Sequence, residues 1–209
     1  MERVTVEQAK KIFGSNFIGL EELKLLFDRM KLSWNDVKVP NIEYTLSELR
    51  KYSDDYILIL GLPNLDSTSL SIFTFRNIFG TDPNISEPCF YNQDWYLNED
   101  FIHDTLNARW YLLRKNVLEE SRAIQPAELL KQNLFFPSAI LCVYTFFAYY
   151  YACREILWSF DFVWCNDTDH NGDRIYVGKY CDIDEINKNG FSIHRHLSLR
   201  SCYAALTIR

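Results

Sequence analysis

Between an aromatic run, Phe160 to Trp164, and a strand-like stretch, Arg174 to Tyr180, the chain reads Asp167-Thr168-Asp169-His170-Asn171-Gly172-Asp173. Oxygen-bearing side chains alternate along it, and Gly172 stands where the backbone must turn. Asp167, Asp169 and Asn171 take the first, third and fifth positions of a helix-flanked calcium loop, and Gly172 takes the sixth. Asp173 falls where such a loop offers a backbone carbonyl. The twelfth position is Gly178 in place of a bidentate Glu, and strands flank the segment in place of helices. A calcium site built here would borrow Asp182 or Asp184 and bind at millimolar concentration. The same residues also make a polar hairpin, with Asn171-Gly172 supplying the positive φ angles of a type I′ turn. The hairpin is the expected outcome. The only cofactor the residues offer a place for is a weakly held calcium ion at Asp167, Asp169, Asn171 and Asp173.

A second group of candidate residues lies further on. His194 and His196 alternate on an expected strand, so both rings should share one face, with Arg195 and Arg200 close by. Two imidazoles so placed can share a transition metal, but a third ligand is not identifiable. A polar sheet face is the alternative, and the four residues form the candidate ligand-binding set. His103, with Asp104 and Glu99 and near Asp94 and Trp95, offers an acid–base set or simply the polar side of a short helix. Arg109-Trp110-Tyr111 and Arg114 offer cations and rings to a ligand, or else strand packing with snorkelling arginines. Nucleotide-loop, nucleophile-elbow, zinc-protease and dinucleotide fingerprints do not occur. Catalytic residues are therefore not assigned.

The elements that must position these residues follow from capping and periodicity. Thr5-x-x-Gln8 and Thr45-x-x-Glu48 are capping boxes, predicting helices over 5–13, stopped by Gly14, and from 45 to about 52. Leu23, Leu26, Phe27 and Met30 are spaced for a helix over 20–30. Tyr56 to Leu60 is a continuous apolar run between Asp54-Asp55 and Gly61-Leu62-Pro63, as a buried strand would be. A helix is expected over 69–79 with Leu70, Phe73 and Ile78 inward, and short helices over 98–106 and 125–133. Arg109 to Lys115 is a strand candidate. Strands are expected over 160–165, 174–180, 191–196 and 202–208.

Leu134 to Cys153 carries no charge for twenty residues, long enough in principle to span a bilayer. It contains Pro137, Ser138, Thr145 and four tyrosines, which favour the membrane interface over its centre. We therefore expect a helix, opening at Pro137 and running to about Leu157, that is buried inside the protein on all sides. The fold class is α+β: a helical N-terminal part, a long buried apolar helix and a mainly antiparallel C-terminal sheet. The expected division is a helical subdomain over 1–55 and an α+β domain over 56–209.

Composition narrows the function classes. The 209 residues are 48% hydrophobic and 16% aromatic, so ring packing should dominate the core. The net charge of −6 and the lack of a basic stripe, with only Arg114-Lys115 and the 194–200 stretch locally basic, argue against nucleic acid as a partner. Met1 to Lys11 lacks the apolar core of a signal peptide. The six cysteines show no CxxC spacing, and in the two-residue hairpin Cys165 would face Gly178 and not Cys181. Reduced thiols and a cytoplasmic location are expected, with no membrane association.

Three segments carry a resemblance. Trp110-Tyr111-Leu112-Leu113-Arg114-Lys115, Gly172-Asp173-Arg174-Ile175-Tyr176-Val177-Gly178 and Asn16-Phe17-Ile18-Gly19 look like motifs of an uncharacterised bacterial family found mainly in Bacteroides-type gut organisms. That resemblance implies no activity. The C-terminal half is similar, distantly, to the C-type-lectin-like fold of sulfatase-modifying enzymes and phage variable proteins. There a VGxF-type strand precedes a Trp-Asp pair and an Arg-rich ending, whereas here the ending is Ile193-His194-Arg195-His196 without that pair. The sequence thus points to a non-enzymatic binding or interaction module for a protein or a small molecule. The alternative is a metal-assisted or acid–base enzyme using the 167–173 acidic loop, the pair His194 and His196, or both.

Overall fold

A computed structural model describes residues 3–181, 189–195 and 199–208. Both capping boxes form. Thr5 opens α1 (Val6–Phe13), with its hydroxyl accepting from the Gln8 N–H and the Gln8 side chain closing back on the Thr5 N–H. Thr45 and Glu48 do the same for α3 (Leu46–Tyr52). Between them Phe17–Ile18 form β1, and α2 spans Leu20–Met30 with Leu23, Leu26, Phe27 and Met30 buried, as their spacing requires.

β2 (Tyr56–Gly61) is buried throughout. It pairs parallel with β1 and antiparallel with β5 (Arg109–Arg114), giving a three-stranded sheet in the order β1-β2-β5. A small hairpin, β3 (Asn64–Leu65) and β4 (Thr68–Ser69), leads into α4 (Ile72–Phe79). Here the expected phase is corrected. Ser71 is the N-cap, so Ile72, Phe75 and Phe79 face inward, while Phe73 is exposed and Ile78 only half-buried. The 98–106 stretch is a single 3-10 turn, Asp100–His103, and the 125–133 helix shortens to α5 (Pro126–Lys131).

α6 (Ala139–Cys153) is the helix that the charge-free stretch forms, starting two residues after Pro137 and ending at Arg154 in the left-handed conformation. Every residue from Ala139 to Tyr149 is buried. Its N-terminus is closed twice: the Ser138 hydroxyl accepts from the Leu141 N–H, and the Asp167 carboxylate accepts from the Ala139 N–H at 2.6 Å. A carboxylate at this end also complements the helix dipole. Fifteen residues fall short of the roughly twenty a membrane-spanning helix needs, and among the described residues no helix is long and apolar enough to cross a membrane.

The C-terminal sheet contains β6 (Phe162–Thr168), β7 (Arg174–Cys181), β8 (Asn189–Arg195) and β9 (Tyr203–Ala204), in the order β8-β7-β6-β9. It is antiparallel except where β9 runs parallel to β6. The segment after β9 crosses to the other sheet. Ala205 bridges Leu118, Ile208 bridges Leu113, and the Tyr56 and Thr207 hydroxyls meet at 2.8 Å. One hydrophobic cluster takes in residues on both sides of the expected 55/56 division, from Val4 to Leu206. The architecture is α+β.

Cys89, Cys142, Cys153, Cys165 and Cys202 are free, with Cys89, Cys142 and Cys165 buried. Burial pushes the Cys89 thiol up to about 12, so it stays protonated and unreactive at neutral pH. Without a closed loop to open, dithiothreitol should leave the melting temperature unchanged. A fall of several degrees on reduction would reveal a bridge.

Candidate functional site

The 89–99 segment brings the chemistry-bearing residues together. It lies along β8: Phe191 N–H donates to the Cys89 carbonyl at 2.8 Å and Tyr91 N–H to the Phe191 carbonyl at 2.9 Å. The Gln93 amide and the Trp95 indole N–H both donate to the Ile193 carbonyl, the latter at 2.9 Å. Arg76 fixes the same segment from α4, with an ion pair to Asp94 at 2.6 Å and a hydrogen bond to the Tyr96 hydroxyl at 3.0 Å. The approach is so close that a Cβ on Gly190 would sit 2.4 Å from the Phe90 carbonyl carbon, which is why glycine stands there. The segment thereby delivers Glu99 to the β6–β7 turn and Tyr91 to the far side of β8.

The turn differs from expectation in one respect. Asp169 N–H donates to the Asp173 carbonyl and Gly172 N–H to the Asp169 carbonyl, both at 2.9 Å, so the loop has three residues, 170–172. Gly172 alone supplies a positive φ, +83°, and Asn171 does not, which corrects the type I′ reading. This is the three-residue hairpin, a type I turn closed by a positive-φ glycine. Open space surrounds the Cβ position of Gly172, so only backbone strain opposes a side chain. Gly172→Ala should therefore cost about 1–2 kcal/mol in chemical denaturation. No loss would mean that the loop relaxes freely.

Asp169 organises the turn. Its side chain is fully buried, Oδ1 accepts from the Asn171 and Asp173 N–H groups at 2.9 Å each, and Oδ2 faces Arg195 Nη1 at 3.1 Å. Burial alone would raise its pKa. The Asp173 amide, Arg195 and the Asn171 amide together outweigh burial and hold the carboxyl below its ordinary value. Arg195 in turn lies over the Trp95 ring at 5.1 Å. Beside Asp169, the buried Glu99 grips His170 twice: Oε1 meets ring Nδ1 at 2.6 Å and Oε2 accepts the backbone N–H at 2.9 Å. The Asn171 side-chain amide lies 3.0 Å from His170 Nε2. One ligand atom each from Glu99, Asp169 and His170 lies within 4.8 Å of the others, at the edge of a recess of about 300 Å³ that Asn98, Asp100 and Thr168 complete.

The proposed calcium residues are thus distributed as follows. Asp167 turns to the α6 N-terminus, where burial pushes its carboxyl up despite the Ala139 amide. Asp169 serves the turn and Arg195, and Asn171 and Asp173 are exposed. A cation at the turn would instead meet Glu99, Asp169 and His170, and would compete with Arg195 for Asp169. Glu99 reaches His170 and not the neighbouring His103, which packs on Phe73 at 5.3 Å.

The candidate ligand-binding residues are divided by strand alternation. Arg195 faces Asp169, whereas His194, opposite Tyr176 in the β7–β8 ladder, faces the other way. His194 and Arg200 line a recess of about 260 Å³ with Tyr91, Phe162, Tyr176 and Tyr203. The His194 ring stacks on Tyr176 at 5.5 Å and meets Phe162 edge-on at 5.3 Å. Burial and the Arg200 charge lower its pKa to about 4, so the ring is neutral at physiological pH. His196, like Asp182 and Asp184, lies outside the described residues. The recess aromatics come from three strands and the 89–99 segment, and only His194 and Arg200 stood out in sequence. The period-2 aromatic pattern of Phe162 and Trp164 was the available signal for the rest.

No protein-family model, curated protein or solved structure matches this chain.

Proposed function

We propose that this protein is a non-enzymatic binding module whose ligand is a small molecule seated in the recess of Tyr91, Phe162, Tyr176, His194, Arg200 and Tyr203. The observation that carries the reading is the pairing of aromatic walls with a guanidinium. Binding sites for small molecules are concave and rich in aromatic side chains, with a few placed polar groups, and the lining of this recess has that make-up. A larger hollow of about 500 Å³, lined by residues from the 33–38 and 62–66 loops with Ala108, has charged and polar residues, Asp36, Lys38, Asn64 and Asp66, but no aromatic ring in its lining. At the acidic recess the carboxylates are already engaged by His170, Arg195 and backbone amides. The test is a fragment screen read by amide chemical shifts. Perturbations should gather at Tyr91, Phe162, Tyr176, His194, Arg200 and Tyr203. Gathering in the 33–38 and 62–66 loops, or nowhere, ends this reading.

A second reading, an acid–base enzyme, has one specific observation in its favour. The buried Glu99 carboxylate faces His170 Nδ1 and favours a proton there, which turns Nε2, met by the Asn171 amide at 3.0 Å, into the acceptor that a general base would use. Turnover of an activated ester that disappears in His170→Ala would support it. Equal rates in the two proteins would remove it.

A further inference from the structure

Resting on the small-molecule reading above, we infer that the recess at His194 selects a planar aromatic monoanion, a single ring bearing one carboxylate. Three properties of its lining lead there. The first is charge. Among the described residues Arg200 carries the only formal charge of the lining, because none of them that lines the recess is acidic and His194 stays neutral. Arg200 itself is exposed and forms no ion pair among the described residues, so its fork is open to a carboxylate, which it matches in a bidentate manner. One guanidinium offsets one negative charge. A phosphate dianion would be left under-neutralised, and a cation would be repelled.

The second property is the shape of the walls. Phe162 stands edge-on to both Tyr176 and Tyr203, at 5.7 and 5.9 Å with interplanar angles of 89°. Tyr176 and Tyr203 lie at 4.6 Å with their hydroxyls 3.1 Å apart, and His194 stacks flat on Tyr176. The wall is thus built of rings packed on one another, with Phe162 and His194 half-buried and so partly open to the recess, and an aromatic guest extends such packing by offset-stacked and edge-to-face contacts. An aliphatic acid would satisfy Arg200 and forgo those contacts. The third property is size. At about 260 Å³ the recess is below the range that takes drug-sized ligands, and fits one ring with a small substituent.

The test titrates the full-length protein with benzoate, benzamide and cyclohexanecarboxylate, following amide chemical shifts of the recess residues. Benzoate should bind at least about tenfold more tightly than either of the other two, since one lacks the charge and the other the ring. Arg200→Gln, a change at an exposed side chain, should bring benzoate to the benzamide level and leave benzamide unchanged, with a melting curve like that of the wild type. Equal binding of benzoate and benzamide, or indifference to Arg200→Gln, overturns the anion half. Equal binding of benzoate and cyclohexanecarboxylate overturns the aromatic half, and in both cases the recess remains a small-molecule site. If neither ring compound perturbs the recess, the inference fails, while the small-molecule reading stands or falls with the fragment screen.

Discussion

Phe147→Ala lowers the unfolding free energy by about 3–5 kcal/mol, the range for truncating a buried phenylalanine. The upper part of that range is expected because Phe147 is where the elements meet. Its ring stacks on Phe79 of α4 at 4.3 Å and on Phe90 of the 89–99 segment at 5.3 Å. It also lies 5.6 Å from Phe75 and 6.5 Å from Phe191 of β8. These neighbours belong to three separate parts of the fold, α4, the 89–99 segment and β8, and cannot all close on the vacated space. For a domain of this size each kcal/mol shifts the melting temperature by about 2–4 °C, so the loss is plain in a thermal scan as well as in urea. A cost below about 1 kcal/mol would mean that α6 is not the packing centre.

The second large effect belongs to Asp169→Ala, about 2–4 kcal/mol, with no calcium response in the wild type. The substitution strips a charged acceptor from two backbone amides and from Arg195, and hydrogen bonds to charged groups are worth about 1.5–3 kcal/mol each. Arg195 is 40% exposed and both amides belong to exposed residues, so water recovers part of the loss. The effect should depend on pH in a definite direction. The folded-state pKa of Asp169 is depressed, so its contribution is complete above the unfolded value of about 3.9 and fades as pH falls through the folded one. The gap between wild type and Asp169→Ala in urea should narrow below about pH 4. Were the turn a calcium loop with a Kd of ~1 mM, ~10 mM calcium would add about 1.4 kcal/mol. A calcium-dependent rise in melting temperature that vanishes in Asp169→Asn would show that loop.

Where the chain carries its own local signal, the sequence was readable. Thr5 with Gln8, Thr45 with Glu48 and the Leu23-Leu26-Phe27-Met30 spacing each concern residues within one or two helical turns, and the corresponding helices lie where expected. α4 shows how fragile phase is. The helix starts at Ile72 and not at 69, with Ser71 as its cap, and the buried face is Ile72, Phe75 and Phe79 in place of Leu70, Phe73 and Ile78. The sites were less legible for a different reason. Glu99 and His170 are separated by the whole of β5, α5, α6 and β6, and neither position marks the other as a partner. Arg195 and His194 could be separated by strand alternation alone, but their destinations, Asp169 and the aromatic recess, depend on how the 89–99 segment lies along β8.

The crossing of the 203–208 segment from one sheet to the other bears on how the chain reaches this state. β5 has β2 on one side, and its other edge is met by Ile208 and Thr207, with Ala205 reaching Leu118 just beyond. Those contacts join residues from the middle of the chain to residues that α6 and the whole β6–β8 meander precede. Loop-closure entropy must be met before they form, so they belong to the late, slow part of folding. Until then the end of β5, Leu113 and Arg114, keeps backbone groups on its outer edge without these partners, the state in which strands from different chains find one another. The segment that stitches the sheets together therefore also acts as a guard against self-association, and the chain is most vulnerable in the interval before it docks.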